Sequence, residues 1–306
     1  MPRNLILTLS DGYYYYDVSR FVESLKKVGF TGHLCVFVGP LTKQITIKQL
    51  QAEGVETVLY QNTFPFIDRP HTANFQVLPH PIHIWNFRHF MYYNYLLEHA
   101  GEYDNVLLTD IRDVVFQRDP FSFDTGGVLN VAMEDRRIPL RSTPSNSNWI
   151  LKGYGPEVLD EIGDFPVSCA GTTLGPSPVI KAYLHTLLTE ICAIRDVLHC
   201  ADQAIHNVLL DRGLLEPVRK LQNEDGPILT IGTLALNTTF KLDAEGYVLN
   251  EAGHRTHIIH QYDRHPQLLT IVDKIAYSNP LRHAYLHARD LVYFRNKYRE
   301  LKKRKA

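Results

Sequence analysis

A buried strand, a helix and a second buried strand follow one another at the start of the chain, and that order restricts the fold more than any other feature. Asn4-Leu-Ile-Leu-Thr-Leu9 is an apolar run of strand length, ending at Ser10-Asp11-Gly12, where glycine lets the backbone turn. Val18, Phe21, Val22, Leu25 and Val28 then recur at helical spacing. Asp17 is the expected N-cap, Lys26 and Lys27 complement the C-terminal end of the dipole, and Gly29 is expected to stop the helix. Leu34-Cys-Val-Phe-Val38 supplies the second strand. Such a β-α-β start predicts a parallel sheet with a right-handed crossover, whose ligands gather at the carboxyl ends of the strands. Ser10 to Tyr16 lies at one such end.

The same logic continues along the chain. Phe87, Phe90, Met91 and Tyr95 mark one side of a helix that breaks near Gly101, and Asn105-Val-Leu-Leu-Thr109 forms a further strand with Asp110 at its exit. After a strand over Val128 to Met133, the stretch from Arg136 to Tyr154 is rich in Ser, Pro and Asn and reads as a mobile loop containing Trp149. Ser177-Pro178 opens a long helix, since proline at the first helical position forfeits no hydrogen bond. A shorter helix follows from Asp202 to Gly213, Thr256 to His260 is strand-like, and the end from Asn279 is helical with a basic tail. The expected fold class is α/β, a mostly parallel central sheet flanked by helices. One domain spans 1–270, with a nucleotide-binding half at 1–121 and an acceptor half at 122–270, and a helical extension occupies 271–306.

Composition excludes several partners. The 306 residues carry 32 Lys plus Arg against 33 Asp plus Glu, so no global field favours nucleic acid, and any partner must be recognised locally. Cys35, Cys169, Cys192 and Cys200 show no C-x-x-C spacing, which fits a reduced, cytoplasmic chain. No run approaches the roughly 20 apolar residues of a membrane span.

Chemistry concentrates in Leu107-Leu-Thr-Asp-Ile-Arg-Asp-Val-Val-Phe-Gln-Arg-Asp-Pro-Phe121, where two acids stand at a strand exit between apolar segments. Asp110 and Asp113 either share a divalent cation, which would bind phosphates, or cap a turn and pair with Arg112 or Arg118. Spacing alone does not choose.

Asp113-Val-Val-Phe-Gln-Arg-Asp-Pro120 resembles the acidic motif of glycosyltransferases of the A-type (GT-A) fold, especially their family 8-like members. That motif is usually Asp-x-Asp, then apolar residues, then Asp-Pro. The usual first acid would fall at Ile111, so this chain carries D-x-x-D. Asp113 is then the expected direct metal ligand and Asp110 a direct or water-mediated one. Ile258-Ile-His-Gln-Tyr-Asp-Arg264 is similar to the segment that completes the metal site in these enzymes, which implies His260 as the third ligand. In a strand His257 points to the opposite face. Carboxylates with an imidazole favour Mn²⁺ over Mg²⁺. Asp202-Gln203 resembles the family's pair beneath the donor sugar. Gln203 would face the anomeric carbon in a retaining reaction, whereas Asp202 would act as general base in an inverting one; capping explains Asp202 equally well.

The resemblance further implies donor contacts from Leu9, Ser10, Asp11, Tyr14, Arg88, Asp110, Ile111 and Arg112. It also implies contacts from Gly171 and Thr172, in a glycine-containing donor loop over Ala170 to Gly175. The alternatives are a surface ion pair for Arg88, an ordinary turn for the loop and packing for the tyrosines. The implied activity is transfer of a sugar from a uridine or other nucleoside diphosphate sugar to a sugar or glycan hydroxyl, on an acceptor that is free or lipid-linked. Two rivals stand beside it. A sugar-1-phosphate nucleotidyltransferase should carry a Gly-rich basic loop where this chain reads Ser-Asp-Gly-Tyr-Tyr-Tyr-Tyr, and a sugar-binding scaffold would lack metal-dependent turnover. Residues 295–306 hold seven basic side chains and one acid, a composition suited to peripheral contact with an anionic membrane.

Overall fold

The computed structural model describes residues 2–60, 84–194, 202–279 and 281–292. In chain order the elements are β1 (Asn4–Ser10), α1 (Tyr15–Lys27), β2 (His33–Val38), α2 (Gln44–Ala52), β3 (Glu56–Leu59), α3 (Ile84–Glu98) and β4 (Asn105–Thr109). There follow β5 (Val114–Phe116), β6 (Leu129–Met133), α4 (Pro144–Gly153), α5 (Pro156–Ile162), β7 (Ser168–Pro176) and α6 (Ser177–Ala193). Last come α7 (Asp202–Asp211), β8 (Val218–Leu221), β9 (Ile228–Thr230), β10 (Ile258–His260) and α8 (Leu269–Ala276), with helical residues at 282–292.

Seven strands form one sheet in the order β3-β2-β1-β4-β7-β6-β8. The first four are mutually parallel, β7 runs antiparallel to both its neighbours, and β8 is parallel to β6. The sheet is therefore mostly parallel, as expected. From β1 the chain winds outward to β2 and β3, then returns to place β4 on the other side of β1. Reversal of the winding direction opens a crevice at the carboxyl ends of β1 and β4.

Both faces of β1 are buried, which is why its sequence is apolar without alternation. Leu5 and Leu7 join a core with residues of α3, α6 and α7, while Ile6, on the opposite face, joins a second core with residues of α1 and α8. Each fully buried Leu or Ile contributes roughly 1.5–3 kcal/mol by leaving water.

Several local expectations are corrected. The helix after β1 begins at Tyr15, so Asp17 is its third residue and not its cap; Asp17 accepts the Tyr14 N–H at 2.9 Å. Gly29 does end the helix, in the left-handed region at φ 76°. The segment read as a loop at Arg136–Tyr154 contains helix α4, opened by Pro144 and anchored by buried Ile150; its Ser and Asn residues do not preclude a helix once one apolar side chain is buried. Ala170 to Gly175 is neither loop nor turn but the interior of β7, its six residues buried.

A second, three-stranded sheet in the order β5-β10-β9 was not expected. Helix α8 packs on α1, with Arg20 donating to Asp273 at 2.7 Å. Residues 282–292 rest on the same body. Cys35, Cys169 and Cys192 are free thiols, while Cys200 and the basic tail lie outside the described residues. Among the described residues no helix is long and apolar enough to cross a membrane.

Candidate metal centre and cleft

Two sheets meet at the acidic motif. Asp110 leaves β4 still tied to it, its N–H donating to the Gly171 carbonyl of β7 at 3.0 Å. Asp113 stands immediately before β5. Antiparallel pairing of β5 with β10 sets Val114 opposite His260, and the Gln261 N–H donates to the Asp113 carbonyl at 2.8 Å. A strand from the far end of the chain thus delivers an imidazole to the two acids.

His260 Nε2 lies 3.3 Å from Asp110 Oδ2 and 3.7 Å from Asp113 Oδ1. One ligand atom from each of the three residues lies within 4.8 Å of the others. A cation about 2.1 Å from each ligand would separate adjacent ligand atoms by roughly 3 Å and opposed ones by roughly 4 Å. The two spacings from His260 fall in that range. His260 Nε2 is buried and makes no hydrogen bond, while Nδ1 lies 3.3 Å from Thr172 Oγ1 and 3.5 Å from Cys169 Sγ. An imidazole oriented from behind, with its free nitrogen aimed between two carboxylates, fits a divalent ion. Gly171 makes room for this packing, since a Cβ there would collide with the His260 ring and stand 2.5 Å from Asp110 Oδ2.

Electrostatics agree. Burial pushes the Asp110 carboxyl up, but Arg88 and His260 outweigh it and hold Asp110 below the usual carboxylate range. Burial raises Asp113, and the neighbouring Asp110 charge adds to the rise against the pull of His260. Burial lowers His260, yet Cys169 and the two acids together raise it well above an ordinary histidine. These groups therefore sit in a strong negative field that a cation would relieve.

Beside this cluster a second acid is already neutralised. Arg88, on α3, donates from Nε and Nη2 to Asp202 Oδ2 at 3.1 and 2.6 Å, and from Nη1 to Asp110 Oδ1. His89 Nε2 is 2.7 Å from the same Asp202 oxygen, and Asp202 Oδ1 accepts the Gln203 N–H at 2.9 Å. Burial raises Asp202, but Arg88 and His89 bring it down to about 2. Arg88 is thus a buried bridge between two acids, not a surface ion pair. Gln203 is bonded at both ends of its amide: Oε1 accepts the Ala170 N–H and Nε2 donates to the Ser168 carbonyl, each at 2.8 Å.

Arg88, Asp110, Asp113, Asp202 and Gln203 open onto a cleft of about 740 Å³. Leu9, Asp11, Arg88, Asp110, Ile111, Arg112, Asp113, Gly171, Asp202 and Gln203 line it as expected. Four expected residues do not, and His260, fully buried behind the two acids, is the first of them. Ser10 is buried within β1, where its carbonyl accepts the Thr42 hydroxyl; Thr172 lies behind His260; and Tyr13, one residue earlier, lines the cleft where Tyr14 was expected. Tyr14 instead precedes α1 as its N-cap. Arg112 pairs with Asp263 at 2.7 Å rather than with Asp113. His257 packs its ring on Phe123, and burial lowers it to about 4, consistent with a place apart from the cluster.

Trp149 faces the cleft beside Trp85, the rings edge to face at 6.2 Å. Glu134 and Gln261 also line it and were not anticipated. Glu134 directly follows β6, and burial raises its carboxyl. The rule that singled out Asp110 at the exit of a strand would have found it. No protein-family model matches the chain, and no curated protein matches it.

Proposed function

We propose that this protein is a metal-dependent glycosyltransferase of the GT-A type, moving a sugar from a nucleoside diphosphate sugar to a sugar or glycan hydroxyl. The observation that carries the reading is the Asp110-Asp113-His260 cluster, placed where the sheet reverses its winding and open to a cleft within the 300–1,000 Å³ range of small-molecule sites. Asp113 and His260 would hold Mn²⁺, with Asp110 giving the oxygen that Arg88 leaves free. A divalent cation there would offset the charge that develops on a departing diphosphate. Arg88 fixes the Asp110 carboxylate, and Gln203 pins the β7 backbone against which a donor sugar would lie.

The surroundings of Asp202 bear on the outcome at the anomeric carbon. A general base works best with a pKa near the operating pH, whereas Asp202 is held at about 2 with both oxygens engaged. We therefore assign Asp202 a positioning role and favour a retaining reaction, in which the leaving phosphate takes the acceptor proton. One observation favours a second reading, a non-catalytic sugar-nucleotide-binding protein: both candidate catalytic side chains, Asp202 and Gln203, are held by bonds within the fold.

Binding and slow hydrolysis of a panel of nucleotide-sugars, with Mn²⁺, Mg²⁺ or chelator, test the proposal. Metal-dependent binding and hydrolysis of one donor, both lost in Asp113→Ala, is the expected result. Metal-dependent binding without turnover of any donor selects the second reading, and no binding under any metal condition overturns both.

A further inference from the structure

The helical residues at 282–292 sit on the body with their amphipathic pattern reversed. Their inward side is polar. Arg282 donates to Glu23 at 3.1 Å, Arg289 donates to Gln49 at 2.8 Å, and buried Asp290 accepts the Tyr16 N–H at 3.1 Å. Leu286 is the one large aliphatic side chain of this segment that is buried. Outward stand Leu281, Ala284, Tyr285, Ala288, Leu291 and Val292, all exposed, with Leu281 at 71%, Tyr285 at 59% and Val292 at 58%. At about 100° per residue these six fall within roughly a third of the helix circumference. A helix that docks through arginines and turns its leucines to water has its apolar face available for something else.

We propose that this face is a docking surface for an anionic lipid membrane. The sequence beyond it supplies the charge complementarity: residues 295–306 carry seven Lys or Arg and one Glu, although the chain as a whole is near neutral. An apolar stripe followed immediately by a basic segment is the pairing that places a helix in the headgroup region, with the stripe in the acyl boundary and the cations on the phosphates. Each basic residue close to such a surface strengthens binding roughly five-fold, and added salt screens it. This inference is independent of the donor and of the metal.

Co-sedimentation of the full-length protein with phosphatidylcholine vesicles, with and without phosphatidylserine, tests it. Binding is expected only to the phosphatidylserine vesicles and should weaken as salt rises. The variant Leu281→Ser/Tyr285→Ser/Val292→Ser should bind at least about ten-fold more weakly, while its circular dichroism and its melting temperature stay those of the wild type. No binding to phosphatidylserine vesicles at low salt overturns the proposal, as does undiminished binding of the triple variant. A concentration-dependent dimer in sedimentation velocity, broken by the triple variant in a protein that ignores both vesicles, reassigns the face to a second copy of the chain and equally overturns it.

Discussion

Two acid centres lie side by side at the carboxyl end of the sheet, and they are built on opposite plans. Around Asp202 the protein supplies its own counter-charges: two nitrogens of Arg88, the His89 ring and a backbone N–H satisfy both oxygens. Around Asp113 it supplies no Arg or Lys ion pair among the described residues, only the His260 ring at 3.7 Å. Arg112 turns to Asp263, His260 Nε2 remains without a hydrogen bond, and the Arg88 guanidinium serves the Asp110 oxygen that faces away from His260. Burial is similar at the two acids, so burial does not distinguish a structural acid from a metal ligand here. What distinguishes them is whether the fold has closed the charge account internally or left a cation to be supplied.

Arg88 is the residue shared by both centres, and removing it gives the largest expected effect. Arg88→Met leaves two buried carboxylates without their main partner and should lower the unfolding free energy by about 3–5 kcal/mol in urea denaturation. A loss below about 1 kcal/mol would mean that the closed centre is not a structural tie, and the contrast would collapse.

Acid should strike the closed centre through histidine before it reaches the aspartate. His206, on α7 with Asp202, lies between the Ser168 hydroxyl and the Tyr183 hydroxyl, each at 2.9 Å, and burial lowers it from 6.5 to about 4. Below pH 6.5 the unfolded chain takes up a proton that the folded chain refuses. Stability from this residue is therefore full above pH 6.5 and falls by about 3 kcal/mol as the pH approaches 4. The contribution of Asp202 is present above its unfolded value of 3.8 and is lost only as the pH falls toward about 2. Equilibrium denaturation of wild type and His206→Gln from about pH 7 to about pH 4.5 separates the two, and the variant should show the flatter profile.

The open centre should respond least when empty and measurably when filled. Mn²⁺ at about 100 times its Kd should add about 2.7 kcal/mol of stability, read as a rise in Tm. Asp113→Asn should abolish that gain yet leave the metal-free protein within about 1 kcal/mol of wild type, because no Arg or Lys side chain among the described residues forms an ion pair with Asp113. A large metal-free loss would place Asp113 among the structural acids.

This contrast explains what could be read from the chain alone. Asp110 and Asp113 were legible because a short apolar strand ending in acids is a local pattern, and the strands flanking α1 were legible for the same reason. His260 came from resemblance, and its partnership with Asp113 depends on β5 and β10, strands of three residues each and too short to show a period. The bond from Arg88 to Asp202 spans 114 positions and has no local signature, so the sequence left Asp202 open between general base and cap, and Arg88 between donor contact and surface ion pair. Ala170 to Gly175 read as a loop from its resemblance and its glycines, but in an interior strand the missing side chain of Gly171 serves the close approach of His260. Glu134, at a strand exit with Asp135 beside it, was legible in principle and was overlooked.

The pairing of β5 with β10 also sets when the centre can exist. Beside it the Tyr262 hydroxyl reaches the Arg112 carbonyl across 150 positions of chain, so the imidazole and the carboxylates meet only by closing a loop of about that length. Contacts of that separation pay their loop-closure entropy first and form slowly. A ribosome-bound chain that has released the acidic motif but not residues 258–260 holds two aspartates and no third ligand. Loading with an ion would therefore report that synthesis has passed His260, and the ion, once seated, would join the early and late ligand segments into one cooperative unit.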